Sequence, residues 1–148
     1  MTGQLPVFSL ATQSPETIVE ESNATASTVL LMIETADSIQ NIEEIAQVPG
    51  VDVLLIGSND LSIELGVPGK FESSEFRSAL EKVSQAARRN GKVFGLAGIY
   101  DRPDIHDWAI NRLGARFILG QQDSGVLAKG AKSCAVALEA VQNTKASL

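Results

Sequence analysis

The chain has 148 residues, 44% of them hydrophobic, and a formal net charge of −6. That is enough apolar material for one globular domain with its own core, while the acidic balance argues against a nucleic-acid partner, which needs a basic face to displace counterions. No cationic leader and no apolar run approaching about 18 residues is visible, so neither a secretory signal nor a membrane span is expected and a cytoplasmic location is the default.

Residues 1–26 carry the weakest pattern, an irregular or short helical segment in which Pro6, Ser9 and Gln13 interrupt a few apolar positions. A helix is expected from Pro15 to about Ser22, with Ser14 as its cap and Pro15 at the first helical position.

Residues 27–148 then repeat one theme four times, an apolar strand followed by an amphipathic helix. The first strand, 28–34, ends on Glu34, and Ile39, Ile42, Ile45 and Ala46 form the stripe of a helix stopped by Pro49 and Gly50. The second strand, 52–57, runs through Gly57, Ser58 and Asn59 to Asp60. After the loop at 66–69, a helix over 74–90 turns Phe76, Ala79, Leu80, Val83, Ala86 and Ala87 to one side. The third strand, 92–97, leads to a helix over 103–113 with Ile105, Trp108, Ala109 and Leu113 inward. The fourth, 115–119, leads to a final helix whose stripe includes Leu127, Ala131, Leu138 and the single cysteine, Cys134, expected to be a small core residue.

Near-continuous apolar strands alternating with helices indicate an α/β fold, a parallel sheet covered by helices. Four such units make half of a (β/α)8 barrel, whose full form takes about 250 residues. A curved four-stranded sheet has two unpaired edges and an open inner face, so it flattens, takes a partner or is a fragment.

Glu34 and Asp60 close two sequential strands, which in a parallel unit lie side by side and emerge at the same carboxyl edge. Two adjacent carboxylates repel unless a cation sits between them, and a hard divalent ion suits the pair. The plainer alternative is that Glu34 caps the next helix and Asp60 a turn. Asp101, Arg102 and Asp104 read as caps of the third helix, Asp123 and Ser124 as caps of the fourth, and Arg116 as a solvated charge at a strand start. Gln121 and Gln122 fall at the same carboxyl edge as Glu34.

Met-Ile-Glu-Thr at 32–35, Gly-Val-Asp-Val-Leu-Leu-Ile-Gly-Ser-Asn-Asp-Leu-Ser at 50–62, Gly-Leu-Ala-Gly-Ile-Tyr at 95–100 and Leu-Gly-Ala-Arg-Phe-Ile-Leu-Gly at 113–120 together resemble the HpcH/HpaI aldolase and citrate lyase family. The resemblance runs from about residue 20 to about residue 137 and corresponds to the last four βα units of that family's TIM barrel.

It implies a divalent-metal-dependent aldolase or carbon–carbon lyase acting on pyruvate-like 2-oxo acids. Glu34 and Asp60 would be the ligands of Mg²⁺ or Mn²⁺, which stabilises an enolate as a Lewis acid. Ser58, Asn59 and Asp60 would bind substrate, with the backbone amides of Asn59 and Asp60 on its carboxylate, and Ala97 would line the pocket. Two departures stand out: Met32 replaces a frequent glutamine and Ser58 a frequent proline.

The family's histidine base and its arginine belong to the other half of the barrel, so no catalytic residue is assigned within this chain. His106, the only histidine, reads as a surface or cap residue of an outer helix. The alternative is therefore a truncated, non-catalytic half-barrel that keeps the metal carboxylates. An assembly of several copies is expected in either case.

Overall fold

The structure is a computed structural model describing residues 14–25 and 27–145; the reading of residues 1–13 lies outside these. Helix α1 (Pro15–Thr25) begins where Ser14 Oγ accepts the Thr17 amide at 3.3 Å, and runs slightly past the expected end. Four parallel strands follow, β1 (Leu30–Ile33), β2 (Val53–Gly57), β3 (Val93–Ala97) and β4 (Phe117–Ile118), lying side by side in chain order. The last is shorter than expected. Among the described residues it has a neighbour on one side only, and its ladder with β3 holds just Gly95↔Phe117 and Leu96↔Ile118.

The helices cover one face of this sheet. Between β1 and β2 the single expected helix is two, α2 (Ala36–Gln40) and α3 (Ile42–Gln47). Asn41 divides them, its backbone and side-chain nitrogens both donating to the Asp37 carbonyl at 3.0 Å. After β2 comes a short α4 (Ser58–Glu64), then α5 (Ser74–Arg89), whose cap Ser73 accepts the Phe76 amide at 3.2 Å. The third outer helix starts as α6 (Pro103–Asp107) and widens into a π-helical turn over Trp108–Arg112. The closing helix is α7 (Asp123–Lys145).

Strand side chains alternate between two surroundings. Ile33, Leu54, Ile56, Phe94 and Leu96 point outward into a continuous core with Ile42, Phe76, Leu80, Val83, Ile105 and Ala109. Each large side chain buried there contributes about 1.5–3 kcal/mol. The stripe expected on α5 is buried throughout.

The inner face is different. Val53, Leu55 and Ala97 form a small cluster with Phe117 against it, but Met32 is 48% exposed and Leu30 38%. Gly95 stands between Leu55 and Phe117, and a Cβ there would lie 2.9 Å from Leu55 Cδ1 and 3.2 Å from Phe117 Cβ, so the row holds one small residue between two large ones.

The stripe on α7 departs most from expectation. Leu127 is 73% and Leu138 69% exposed, and Cys134 is exposed rather than a core residue. The helical pattern is present, but none of the described residues covers it. No helix among the described residues is long and apolar enough to cross a membrane.

Candidate active site

All the positions singled out for metal or substrate lie at the carboxyl ends of β1, β2 and β3. The register Ile33↔Ile56 and Gly57↔Ala97 carries Glu34, Gly57 and Ala97 onto one row across the sheet. Glu34 leans over its neighbour: a Cβ on Gly57 would lie 2.7 Å from Glu34 Oε2 and 3.1 Å from Glu34 Cβ. Only a residue without a side chain leaves that carboxylate its place.

Capping does not account for either acid. Thr35 caps α2, accepting the Ser38 amide at 3.1 Å while Ser38 Oγ accepts the Thr35 amide at 3.2 Å. Gly57 is the cap of α4, and Asp60 stands inside the first turn, exposed. Among the described residues neither Glu34 nor Asp60 forms an ion pair.

Two unpaired carboxylates at one edge are a hard-oxygen donor set of the kind Mg²⁺ and Mn²⁺ accept. No group of three or more His, Cys, Asp or Glu converges among the described residues.

Beside the carboxylates, α4 presents its first-turn amides, which have no partner within the helix. Gly98, at φ +88°, faces them: a Cβ there would lie 3.2 Å from Asn59 Nδ2 and 3.5 Å from the backbone nitrogens of Ser58 and Asn59. The space in front of these donors is thus kept open by a glycine of the next strand's loop. Ser58 is completely buried, and its Oγ has no hydrogen-bond partner among the described residues. Ala97 is buried on the inner face, a methyl floor to the same edge. Ser62 braces the turn, donating to the Asn59 carbonyl at 2.7 Å and accepting the Gly69 amide at 3.0 Å.

The neighbouring loop is tied down by residues the sequence described otherwise. His106 is half-buried, and its Nε2 donates to the Ile99 carbonyl at 2.9 Å, holding the loop after β3. Asp101 does not cap α6; at φ +58° it accepts Lys129 Nζ of α7 at 2.6 Å on both oxygens. Arg102 takes the cap position with no side-chain cap bond and pairs with Asp104 at 2.8 Å. Its hydrogen bond brings the Asp104 carboxyl down to about 2. Gln121 Oε1 accepts the Gln122 amide at 3.1 Å, and Asp123 accepts the Ser124 amide at 2.7 Å.

Glycines 57 and 98 were not singled out as site residues from the sequence. Glycine at the end of a strand is a common turn signal, and only the neighbours shown by the fold reveal what its missing side chain makes room for.

Known proteins share much of this sequence and fold. A 4-hydroxy-4-methyl-2-oxoglutarate aldolase of Chaetomium globosum is 52% identical over 145 residues, 98% of this chain and 54% of the relative. A protein of the same description from Hapsidospora irregularis is 51% identical, over 96% of this chain and 53% of its own length. The chain therefore spans about half the length of these curated relatives. Among solved structures, an HpcH/HpaI aldolase from Desulfitobacterium hafniense superposes with a TM-score of 0.69 at 27% identity, covering 86% of this chain and 48% of that one. Macrophomate synthase superposes at 0.66 with 25% identity, over 94% and 48% respectively. The α/β half-barrel is thus the fold of this group, and the model of the HpcH/HpaI aldolase/citrate lyase family matches residues 7–103. On these grounds the chain belongs to the HpcH/HpaI aldolase/citrate lyase family.

Proposed function

We propose that residues 27–148 supply the metal and 2-oxo-acid half of a divalent-metal-dependent carbon–carbon lyase that cleaves 4-hydroxy-2-oxo acids. The observation that carries this reading is the Glu34 carboxylate seated over Gly57, on the same sheet edge as Asp60 and the amides facing the Gly98 gap. Glu34 and Asp60 would hold Mg²⁺ or Mn²⁺. When bound, the ion supplies Lewis-acid stabilisation of the negative charge that develops on the 2-oxo group as the bond breaks.

The chain's own residues do the rest of the positioning. The backbone amides of Asn59 and Asp60 take the substrate carboxylate, Ser58 offers an unpartnered hydroxyl, and the Ala97 methyl closes the floor. For a 4-hydroxy-4-methyl-2-oxoglutarate, the substrate in the names of the two fungal relatives, cleavage between C3 and C4 yields two pyruvates. Cleavage needs a base that takes the C4 hydroxyl proton as the C3–C4 bond breaks, and a proton returned to C3 of the enolate. His106 serves as a loop tie, its Nε2 donating to the Ile99 carbonyl, and is not assigned the role of that base.

The exposure of Met32 and Leu30 on the inner face favours a second reading, a half-barrel that binds metal and 2-oxo acid without turnover unless a second body of strands closes over it. We place that body in a further copy of this chain or in additional barrel units.

The test is Mn²⁺ binding by calorimetry on the chain and on Glu34→Ala and Asp60→Ala. Loss of binding with unchanged helix content in both variants supports the site, and unchanged affinity in either refutes it. Metal-dependent decarboxylation of oxaloacetate separates the two readings: turnover favours the lyase, and silence with retained Mn²⁺ binding favours the half-barrel without turnover.

A further inference from the structure

At the opposite end of the sheet, where β3 and β4 begin, a cleft of about 380 Å³ opens between the end of α5 and the turn before β4. Arg88, Lys92 and Arg116 line it together with Ser84, Leu113 and Gly114, and no carboxylate is among the lining residues. Three cations line it, Arg88 from the end of α5 and Lys92 and Arg116 from the turns before β3 and β4, in a chain whose net charge is −6.

Their charges are not used elsewhere. Among the described residues none of the three forms a salt bridge. Lys92 Nζ reaches only the Val48 carbonyl at 3.4 Å, and Arg116 Nη1 the Ala115 carbonyl at 2.9 Å. Arg88 Nη2 lies 3.6 Å from where a Cβ of Gly114 would be, over bare backbone. The adjacent Arg89 shows the contrast, since Glu43 neutralises it.

Basic residues at a helix end commonly answer the negative end of the helix dipole. That role is largely taken here. The carbonyls of Ala86, Ala87 and Arg88 already accept the amides of Asn90, Lys92 and Gly91. Arg116, moreover, stands just before β4 and belongs to no helix end.

We propose that this cleft binds a small doubly charged oxyanion of phosphate chemistry, as the free ion or as a phosphate monoester. Two guanidinium forks and one ammonium come from the end of a helix and two separate turns, which suits a tetrahedral dianion whose oxygens point in several directions. The walls are firm: Ser84 Oγ donates to the Leu113 carbonyl at 2.6 Å, and the Arg116 amide donates to the Phe94 carbonyl at 3.0 Å. The site lies across the sheet from Glu34 and Asp60 and is independent of the lyase reading.

The experiment titrates the full chain with inorganic phosphate, and separately with glycerol phosphate, at ionic strength held constant with sodium chloride, following heat and the thermal midpoint. Saturable binding in the millimolar range or tighter is expected, weakened roughly tenfold by Arg88→Gln or Arg116→Gln and by more in the pair. Lys70→Gln, a charge loss outside the cleft, should leave it unchanged. Should the double variant fail to fold, Lys92→Gln and the two single variants carry the test. Tighter binding of inorganic phosphate assigns the free ion, and tighter binding of glycerol phosphate assigns a phosphorylated metabolite. A shift that never saturates, that survives in the folded arginine variants, or that chloride reproduces overturns the proposal.

Discussion

Gly57 carries more of the candidate site than its size suggests. Its φ is an ordinary −87°, so alanine fits the backbone, but the added methyl would meet Glu34 Oε2 at 2.7 Å. The flexible carboxylate gives way first, so Gly57→Ala should weaken Mn²⁺ binding at least about tenfold while moving the thermal midpoint by only a few degrees. Calorimetric titration beside a melting curve checks both halves of that statement. Gly98→Ala should act on the other ligand: its methyl would stand before the Ser58 and Asn59 amides, and its φ of +88° adds strain of about 1 kcal/mol. Weaker pyruvate binding with Mn²⁺ affinity retained is the expected outcome, read by titrating pyruvate into the metal-loaded chain. Glu34 and Asp60 were legible in the sequence because strand ends in a parallel unit share an edge, and chemistry-bearing side chains announce themselves. The two glycines were not, because what an absent side chain makes room for depends on neighbours far along the chain.

At the scale of elements, α5 was the easiest to read and is the best anchored. Its stripe is buried throughout, and Ser73 caps it at 3.2 Å, so Ser73→Ala should lower stability by about 1 kcal/mol in denaturant titration. Across from it, α3 is tied on by Glu43. The hydrogen bond from Arg89 holds that carboxyl below its ordinary 4.5. A carboxyl lowered on folding stabilises the native state above its unfolded pKa, and the contribution disappears as pH falls through the lowered value. Melting curves should therefore fall toward acid, and Glu43→Gln should flatten part of that fall while lowering the midpoint at neutral pH. The break at Asn41 was less visible, because Ile39, Ile42, Ile45 and Ala46 keep one helical stripe across it. Periodicity records which face is buried, and a local donation to the Asp37 carbonyl leaves that face unchanged. The stripe of α7, with Cys134 on it, was expected to be buried and is exposed, because spacing along a chain cannot say whether a covering surface lies within it.

For the whole molecule, the apolar inner face is the dominant fact. Met32 and Leu30 are exposed beside the small cluster of Val53, Leu55 and Ala97, β1 and β4 each have a free edge among the described residues, and Leu127 and Leu138 stand clear on α7. Exposed strand edges and contiguous apolar surface favour association. We expect light scattering to give a discrete dimer or larger assembly, and dyes that fluoresce on apolar surface to bind weakly to it. A monomer that binds such dyes strongly would count against an assembly of copies. The side-by-side order of the four strands has a further consequence, in the time domain. Because spatial order equals chain order, every strand except the first finds its partner already made, and loops closing over short sequence distances do so quickly. The sheet can therefore grow one strand at a time during synthesis, each new strand pairing with the one made just before it.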